Sequence, residues 1–319
     1  MTEALLSVTF AGPLVSVQDA GRPGLMRYGV PTSGPLDRRA FAAANVALGN
    51  SANTPVIEVS LGGLALTCLS GTVSFAVAGG GFILDHGCVR RGSWTTATLR
   101  PGETLTIRRG PWGSWCYLAF AGQLQSPAWL GSNATHAISG FGGGKLITGQ
   151  TLTVEVPQIH TERAGIIPCP VHARPRHEAR VTLGPQDRFF DPEAIKDFLS
   201  GKWAMTDAWD RMGVRLAGPS IAPKAALDMP SEPILRGSVQ VTGDGVASLL
   251  LADHQTTGGY PKIATVLDCD LDGLMQLRAR DLVRFTPVTP DDAIFYARQT
   301  AETEARYLQV IAHLGQSFG

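Results

Sequence analysis

Short apolar runs alternate with Gly-, Pro-, Asn- and Asp-rich breaks along most of this chain. In the first half, Leu5–Phe10, Leu64–Cys68, Val73–Val77, Thr96–Leu99, Thr104–Ile107, Trp115–Phe120 and Leu152–Val156 read as strands. The second half continues with Val181–Leu183, Val214–Leu216, Ser238–Val241, Ser248–Leu251, Ile263–Leu267 and Leu282–Phe285. Three segments switch to helical spacing. Leu36–Leu48 starts behind Pro35 and stops at Gly49-Asn50, and Asp191–Leu199 opens on an Asp-Pro cap. Pro290–Leu314 repeats Ile294, Ala297, Ala301, Ala305, Leu308 and Ile311. The pattern predicts a mainly β protein, barrel or sandwich in each half, with a few helices. Residues 157–179 lack periodicity and hold Pro157, Pro168, Pro170 and Pro175, so they read as a connector. The expected domains are therefore 1–156 and 180–319.

Composition narrows the function classes. The 27 basic and 27 acidic residues cancel, which argues against a broad nucleic-acid or anionic-membrane footprint. Hydrophobic residues make up 44% of the 319, enough for a full core. Five cysteines without a Cys-x-x-Cys pair point to a reducing compartment. Residues 1–17 lack a basic, then apolar, leader pattern, and no long apolar run follows, so a cytoplasmic location is expected.

Candidate chemistry concentrates in Asp253-His254-Gln255-Thr256-Thr257-Gly258-Gly259-Tyr260-Pro261-Lys262, between two apolar runs. A plain turn needs Gly, Pro and one Asx residue, not this density of polar side chains. A second cluster pairs Asp210-Arg211 with Glu232, both in turns ahead of strands. Arg211 offers a planar fork for a carboxylate; the alternative is a structural ion pair within a barrel. A third lies in residues 18–37, where Asp19, Arg22, Ser33 and Asp37 stand in Gly/Pro-framed loops before a helix. Ser33 or Asp37 caps that helix, and its first N–H groups suit a carboxylate. The alternative there is a pair of tight turns in which Asp and Arg satisfy each other.

Other motifs fall short. Gly142-Gly143-Gly144-Lys145 lacks the leading Gly and trailing Ser or Thr of a phosphate loop. Gly79-Gly80-Gly81 has no dinucleotide spacing, and Cys169, His172 and His177 lack a fourth ligand nearby, so no metal site is expected.

Longer motifs carry a resemblance. Val17-Gln18-Asp19, Gly21-Arg22-Pro23-Gly24, Gly29-Val30-Pro31, Ser33-Gly34-Pro35-Leu36-Asp37, Leu183-Gly184-Pro185-Gln186-Asp187, Asp210-Arg211-Met212-Gly213, Ser231-Glu232-Pro233, Gly237-Ser238-Val239-Gln240 and 253–263 occur in this order. From about Leu14 to Phe285 the chain resembles the biotin-dependent carboxyltransferase-like family, also called allophanate hydrolase subunit 2 or KipA-type. The resemblance implies two cyclophilin-like β-barrels and a heteromeric complex with a B-type and an A-type subunit. It implies chemistry on a small amide or lactam, of the ATP-dependent 5-oxoprolinase type, with ATP used by the complex and no cofactor bound by this chain alone. Within it, Arg211 or Lys262 would hold a substrate carboxylate. Gln255, Thr256, Thr257 and Tyr260, with the N–H groups of Gly258 and Gly259, would face a carbonyl oxygen; Asp210, Glu232 or Asp253 would handle protons. Gln255, Tyr260 and Lys262 are expected to line one preformed cleft. Two other readings remain: carboxyl transfer from carboxybiotin on a partner to urea or a related amide, and regulation by binding a kinase-inhibitor partner.

Overall fold

A computed structural model describes residues 3–224 and 229–314. Strands dominate, with four α-helices among the described residues: α1 Arg38–Ala47, α2 Pro192–Ser200, α3 Asp268–Met275 and α4 Pro290–Ala312. The chain divides into two units. Among the described residues, the first holds 3–22, 33–174 and 303–314; the second holds 23–32, 175–224 and 229–302.

In the first unit, strands form a seven-stranded and a six-stranded sheet. Alternation explains their packing. Leu6 and Val8 from Glu3–Ala11, Leu66 from Leu64–Ser70 and Ile107 from Thr104–Trp112 meet Phe75, Val77, Leu118 and Phe120 of the other sheet in one buried core. Val56–Ser60, Val73–Ala78 and Trp115–Phe120 are buried on both faces, because α1 packs on the side away from that core. That burial accounts for the alanine-rich face of α1: Ala40, Ala43, Ala44 and Ala47 are fully buried. Residues 157–179 carry two 3-10 turns and the strand Gly165–Ile166, which pairs with Thr95–Leu99.

The second unit is a closed seven-stranded barrel. Glu178–Leu183 pairs with Lys262–Val266, then the ring runs through Ser238–Val241, Ala247–Leu250, Gly213–Ala217, Trp203–Trp209 and Leu282–Pro287. The last strand returns parallel to Glu178–Leu183 and closes it. Val181, Leu216, Val239, Leu249, Ala264 and Phe285 are among its buried residues. α2 packs on Leu282–Pro287, where Phe198 stacks on Phe285 at 4.7 Å. Gly237 has φ +90°, and a Cβ there would lie 2.8 Å from the Val266 carbonyl oxygen, so glycine is required at this strand entry. α3 was not anticipated by the spacing of apolar residues. Its Asp270 is buried and paired with Arg180 (2.5 Å) and Arg176 (3.5 Å).

Candidate functional site

The barrel gathers polar side chains around the head of the strand Lys262–Val266. A tight turn after Glu178–Leu183 brings Gln186 back over that strand. The Lys262 N–H donates to Gln186 Oε1 at 2.9 Å, and the Gln186 N–H donates to the Lys262 carbonyl at 3.3 Å. Gln186 Nε2 donates to Glu232 Oε2. Glu232 is placed by a two-residue strand, Glu232–Pro233, that pairs with Thr257–Gly258. Lys262 lies opposite Gln240 on the neighbouring strand. Gln240 donates to the Tyr260 carbonyl at 3.2 Å, and Gln255 Nε2 donates to Gln240 Oε1 at 3.3 Å. Gly258 fits because of this crowding. A Cβ there would stand 2.7 Å from Ile234 Cδ1 and 3.0 Å from Gln240 Nε2.

Lys262 is the unusual member. Its side chain is 1% exposed, and Nζ is buried with no hydrogen-bond partner. Burial pushes its amine below the ordinary lysine value, and the charge of Glu232 offsets part of that shift. A buried donor without an acceptor costs free energy. The arrangement offers one N–H donor cluster, a carboxylate and amide groups within one rigid frame. These groups have the chemistry to donate to an oxygen atom and to exchange a proton beside it.

Arg211 and Asp253 take a different role from the expected one. Nε lies 2.9 Å from Oδ2 and Nη2 3.3 Å from Oδ1, with both side chains essentially buried. The expectation that Arg211 grips a substrate carboxylate is corrected: its fork faces the carboxylate of Asp253. The pair straps residues 210–213 to 251–253, where the Asp253 N–H also donates to the Arg211 carbonyl at 2.9 Å. Asp210 is exposed and accepts from the N–H groups of Met212 (2.7 Å) and Gly213 (3.1 Å), so its carboxylate builds the turn. The expected common cleft also needs correction, because Tyr260 is 44% exposed while Lys262 is inside. Thr257 is exposed, whereas Gln255, Thr256 and Gly259 are half-buried. The Thr256 carbonyl accepts from the Ile234 N–H at 3.0 Å.

Sequence reasoning did not assign roles to Gln186, Gln240 or His254. The first two stand in ordered motifs, the only signal available, and the fold alone brings them to Lys262. His254 is 3% exposed, and Nδ1 lies 2.6 Å from the Gln255 carbonyl. Burial lowers its pKa; the charge of Arg236 works the same way.

The other predicted residues belong to the first unit. Asp19 accepts from the Gly21 N–H (2.8 Å), the Ser132 hydroxyl (2.6 Å) and the Asn133 N–H (2.6 Å). Arg22 donates to the carbonyls of Trp129 and Ala134, and lies 4.8 Å over the Trp129 ring. Both residues thus fasten loop to loop, which corrects the expectation that they face a substrate. Asp37 caps α1, accepting from the Ala40 N–H at 3.0 Å. Glu58 accepts from the Leu36 N–H (2.9 Å) and the Tyr117 hydroxyl (2.8 Å), which fixes the approach to that cap. Burial, beside the charges of Glu58 and Asp37, pushes the Tyr117 phenol well above its ordinary value. Ser33 has φ +56°, is buried, and its hydroxyl has no hydrogen-bond partner.

Among the described residues no helix is long and apolar enough to cross a membrane, and no group of three or more His, Cys, Asp or Glu side chains is arranged to hold a metal. Comparison with known proteins gives consistent matches. The chain is 35% identical over 283 residues to the C-type subunit of 5-oxoprolinase from Haemophilus influenzae, covering 87% of this chain and 89% of that one. It is 30% identical over 317 residues to the corresponding 5-oxoprolinase subunit of Escherichia coli, covering 97% and 98%. The solved Kluyveromyces lactis urea carboxylase superposes with a TM-score of 0.84 at 25% identity, over 96% of this chain but 29% of that longer one. A family profile described as carboxyltransferase domain, subdomain A and B, matches residues 28–287, and the chain belongs to that family.

Proposed function

We propose that this chain is the C-type subunit of an ATP-dependent 5-oxoprolinase-type complex, an amide-bond hydrolase that works with a B-type and an A-type subunit and is inactive without them. One observation carries the reading: the likeness to the H. influenzae 5-oxoprolinase subunit runs over 87% of this chain and 89% of that protein. The barrel chemistry supports it. Amide resonance protects a lactam carbonyl, so direct attack by water is slow. Transfer of a phosphoryl group from ATP to the carbonyl oxygen releases ADP and makes the ring carbon electrophilic. Water then adds to that carbon, the ring C–N bond breaks, and the nitrogen leaves with a proton. A second water cleaves the resulting acyl phosphate to glutamate and phosphate.

In this reading Lys262 contacts the substrate. Its buried amine donates to an oxygen of the lactam, and its lowered pKa makes that proton available to the departing nitrogen. Glu232, oriented by Gln186, accepts the proton of the attacking water. Arg211 and Asp253 are positioning residues that hold 251–253, and through it the polar loop. Gly258 leaves room for the Gln240 and Gln255 amides. ATP is used by the assembled complex, and no cofactor is assigned to this chain. The test is co-expression with candidate A-type and B-type subunits, followed by measurement of ADP and glutamate released from 5-oxoproline. Release only by the mixture supports the reading; a fully assembled mixture that leaves 5-oxoproline intact overturns it.

A second reading has its own observation, the TM-score of 0.84 with the K. lactis urea carboxylase. There the same pocket would pass a carboxyl group from carboxybiotin on a partner to an amide nitrogen. It predicts a biotinylated protein in the complex, which a streptavidin blot detects.

A further inference from the structure

The first unit carries an open groove of about 690 Å3 that none of the chemistry above uses. It runs beside the strand Val89–Gly92, the outermost strand of the seven-stranded sheet, and the strand Gly165–Ile166, the outermost of the six-stranded sheet. All four residues of Val89–Gly92 are exposed. An outermost strand presents backbone N–H and C=O groups to whatever lies alongside, and proteins usually cover or blunt such edges. Here the edge is short, about 13 Å, and adjoins exposed apolar surface: Ile166 is 83% exposed.

The lining has one sign of charge. Arg90, Arg91 and Arg174 contribute, and no acidic side chain does among the described residues lining it. Arg90 is paired with Asp85 on the neighbouring strand at 2.9 Å, but Arg90 is itself largely exposed and shares that half-buried carboxylate with Arg108 at 2.7 Å, so the pair holds it only weakly. Arg174 is fixed more firmly. Its guanidinium lies 4.3 Å over the Trp112 ring, and that ring is seated against Gly81, where a Cβ would come within 2.3 Å of Trp112 Nε1. The groove therefore combines strand edges, an apolar side chain and three arginines, of which Arg90 is already paired with Asp85 outside the lining. A nucleic acid would also meet the arginines, but the formal net charge of zero provides no wider attractive field for it.

We propose that this groove seats an extended acidic segment of the B-type partner, which adds as a further strand along Val89–Gly92 with its carboxylates on the arginines and an apolar residue on Ile166. The inference rests on the reading of this chain as one subunit of a complex. Amide hydrogen exchange of the chain alone and in the reconstituted complex tests it, together with a variant carrying Arg90→Glu, Arg91→Glu and Arg174→Glu. In the complex, the amides of 89–92 should exchange at least about tenfold more slowly. The variant should bind the partner at least about tenfold more weakly, and its residual affinity should respond less to salt. Its melting temperature should match that of the parent chain; if it does not, Arg91→Glu alone serves as the variant. A complex that forms with 89–92 exchanging at the free rate overturns the groove and leaves the proposed function standing. Failure of any complex to form removes both. Protection of these amides by a DNA oligonucleotide, or by raising the concentration of the chain alone, instead of by the partner, also overturns the inference.

Discussion

Replacing Lys262 by Met separates a functional lysine from a structural one. Met keeps the length of the chain as far as Cε, with a thioether sulfur in place of Cδ, and removes Nζ. In the folded protein that nitrogen is buried without a hydrogen-bond partner, within a side chain 1% exposed. An unsatisfied buried donor costs about 1–3 kcal/mol, and more when it carries charge. The attraction of Glu232 returns part of this, so Lys262→Met should stabilise the chain by about 1–2 kcal/mol at pH 7. Turnover by the reconstituted complex should fall by about two orders of magnitude or more, the usual scale for loss of a general acid. A gain in stability with a loss of activity is the signature of a group kept for function.

The pH dependence gives a second reading of the same variant. Burial lowers the folded-state pKa of Lys262 below the ordinary value of about 10.4. Between those two values the unfolded chain binds more protons than the folded one, so this residue makes stability rise with pH. The advantage of Lys262→Met is therefore full below the folded-state pKa and shrinks as pH approaches about 10.4. Urea denaturation of both chains at pH 7 and pH 10 measures it. A variant less stable than the parent at pH 7 would mean that Nζ is paired in solution, and the reasoning about this site would fail. Unchanged turnover would remove Lys262 from the mechanism.

Gly258→Ala should cost about 1–3 kcal/mol and impair turnover, because its Cβ would sit 2.7 Å from Ile234 Cδ1. Gly259→Ala, with nearest atoms at 3.6 and 3.9 Å, should leave the denaturation midpoint nearly unmoved. Arg211→Ala strands the buried Asp253 carboxylate and should destabilise by about 3–5 kcal/mol; a paired Arg211→Met, Asp253→Leu replacement should recover most of that in urea melts. If the double variant is as unstable as the single one, the pair is not the relevant contact. His254 has a folded-state pKa below the ordinary value of about 6.5, so the unfolded chain takes up its proton first and stability falls as pH drops below that point. His254→Gln should flatten this part of the acid limb of a stability-against-pH curve, and an unchanged slope would count against burial as its cause.

What the sequence makes legible follows from what each element buries. Strands such as Leu64–Ser70 alternate buried and less buried residues, so their period is visible in the letters. α1 announces itself through alanines on one face and Asp37 at its cap. α3 does not, because part of its buried surface is acidic: Asp270 answers Arg180, and Asp272 lies 3.5 Å from Arg236. Trp203–Trp209 is hidden by an irregular register between Met205 and Trp209. The polar block 253–262 stands out by density alone, but the roles within it do not. Gln186 is 76 residues from Lys262, and Arg211 is 42 from Asp253.

The most instructive case is Lys262 itself. Val239 pairs with Ala264, yet the next residue, Gln240, pairs with Lys262, so the strand carries an extra residue at Ile263. Strict alternation permits only one of two successive residues to face inward, and a reader of the sequence assigns that place to Ile263. The bulge lets both be buried, Ile263 at 0% and Lys262 at 1% exposure. It is this local break in the period, rather than any property of the lysine, that puts an amine opposite Gln240 and beside Gln186. Bulges re-aim side chains next to sites of chemistry, and the irregularity here lies at the residue whose removal should both stabilise the chain and silence it.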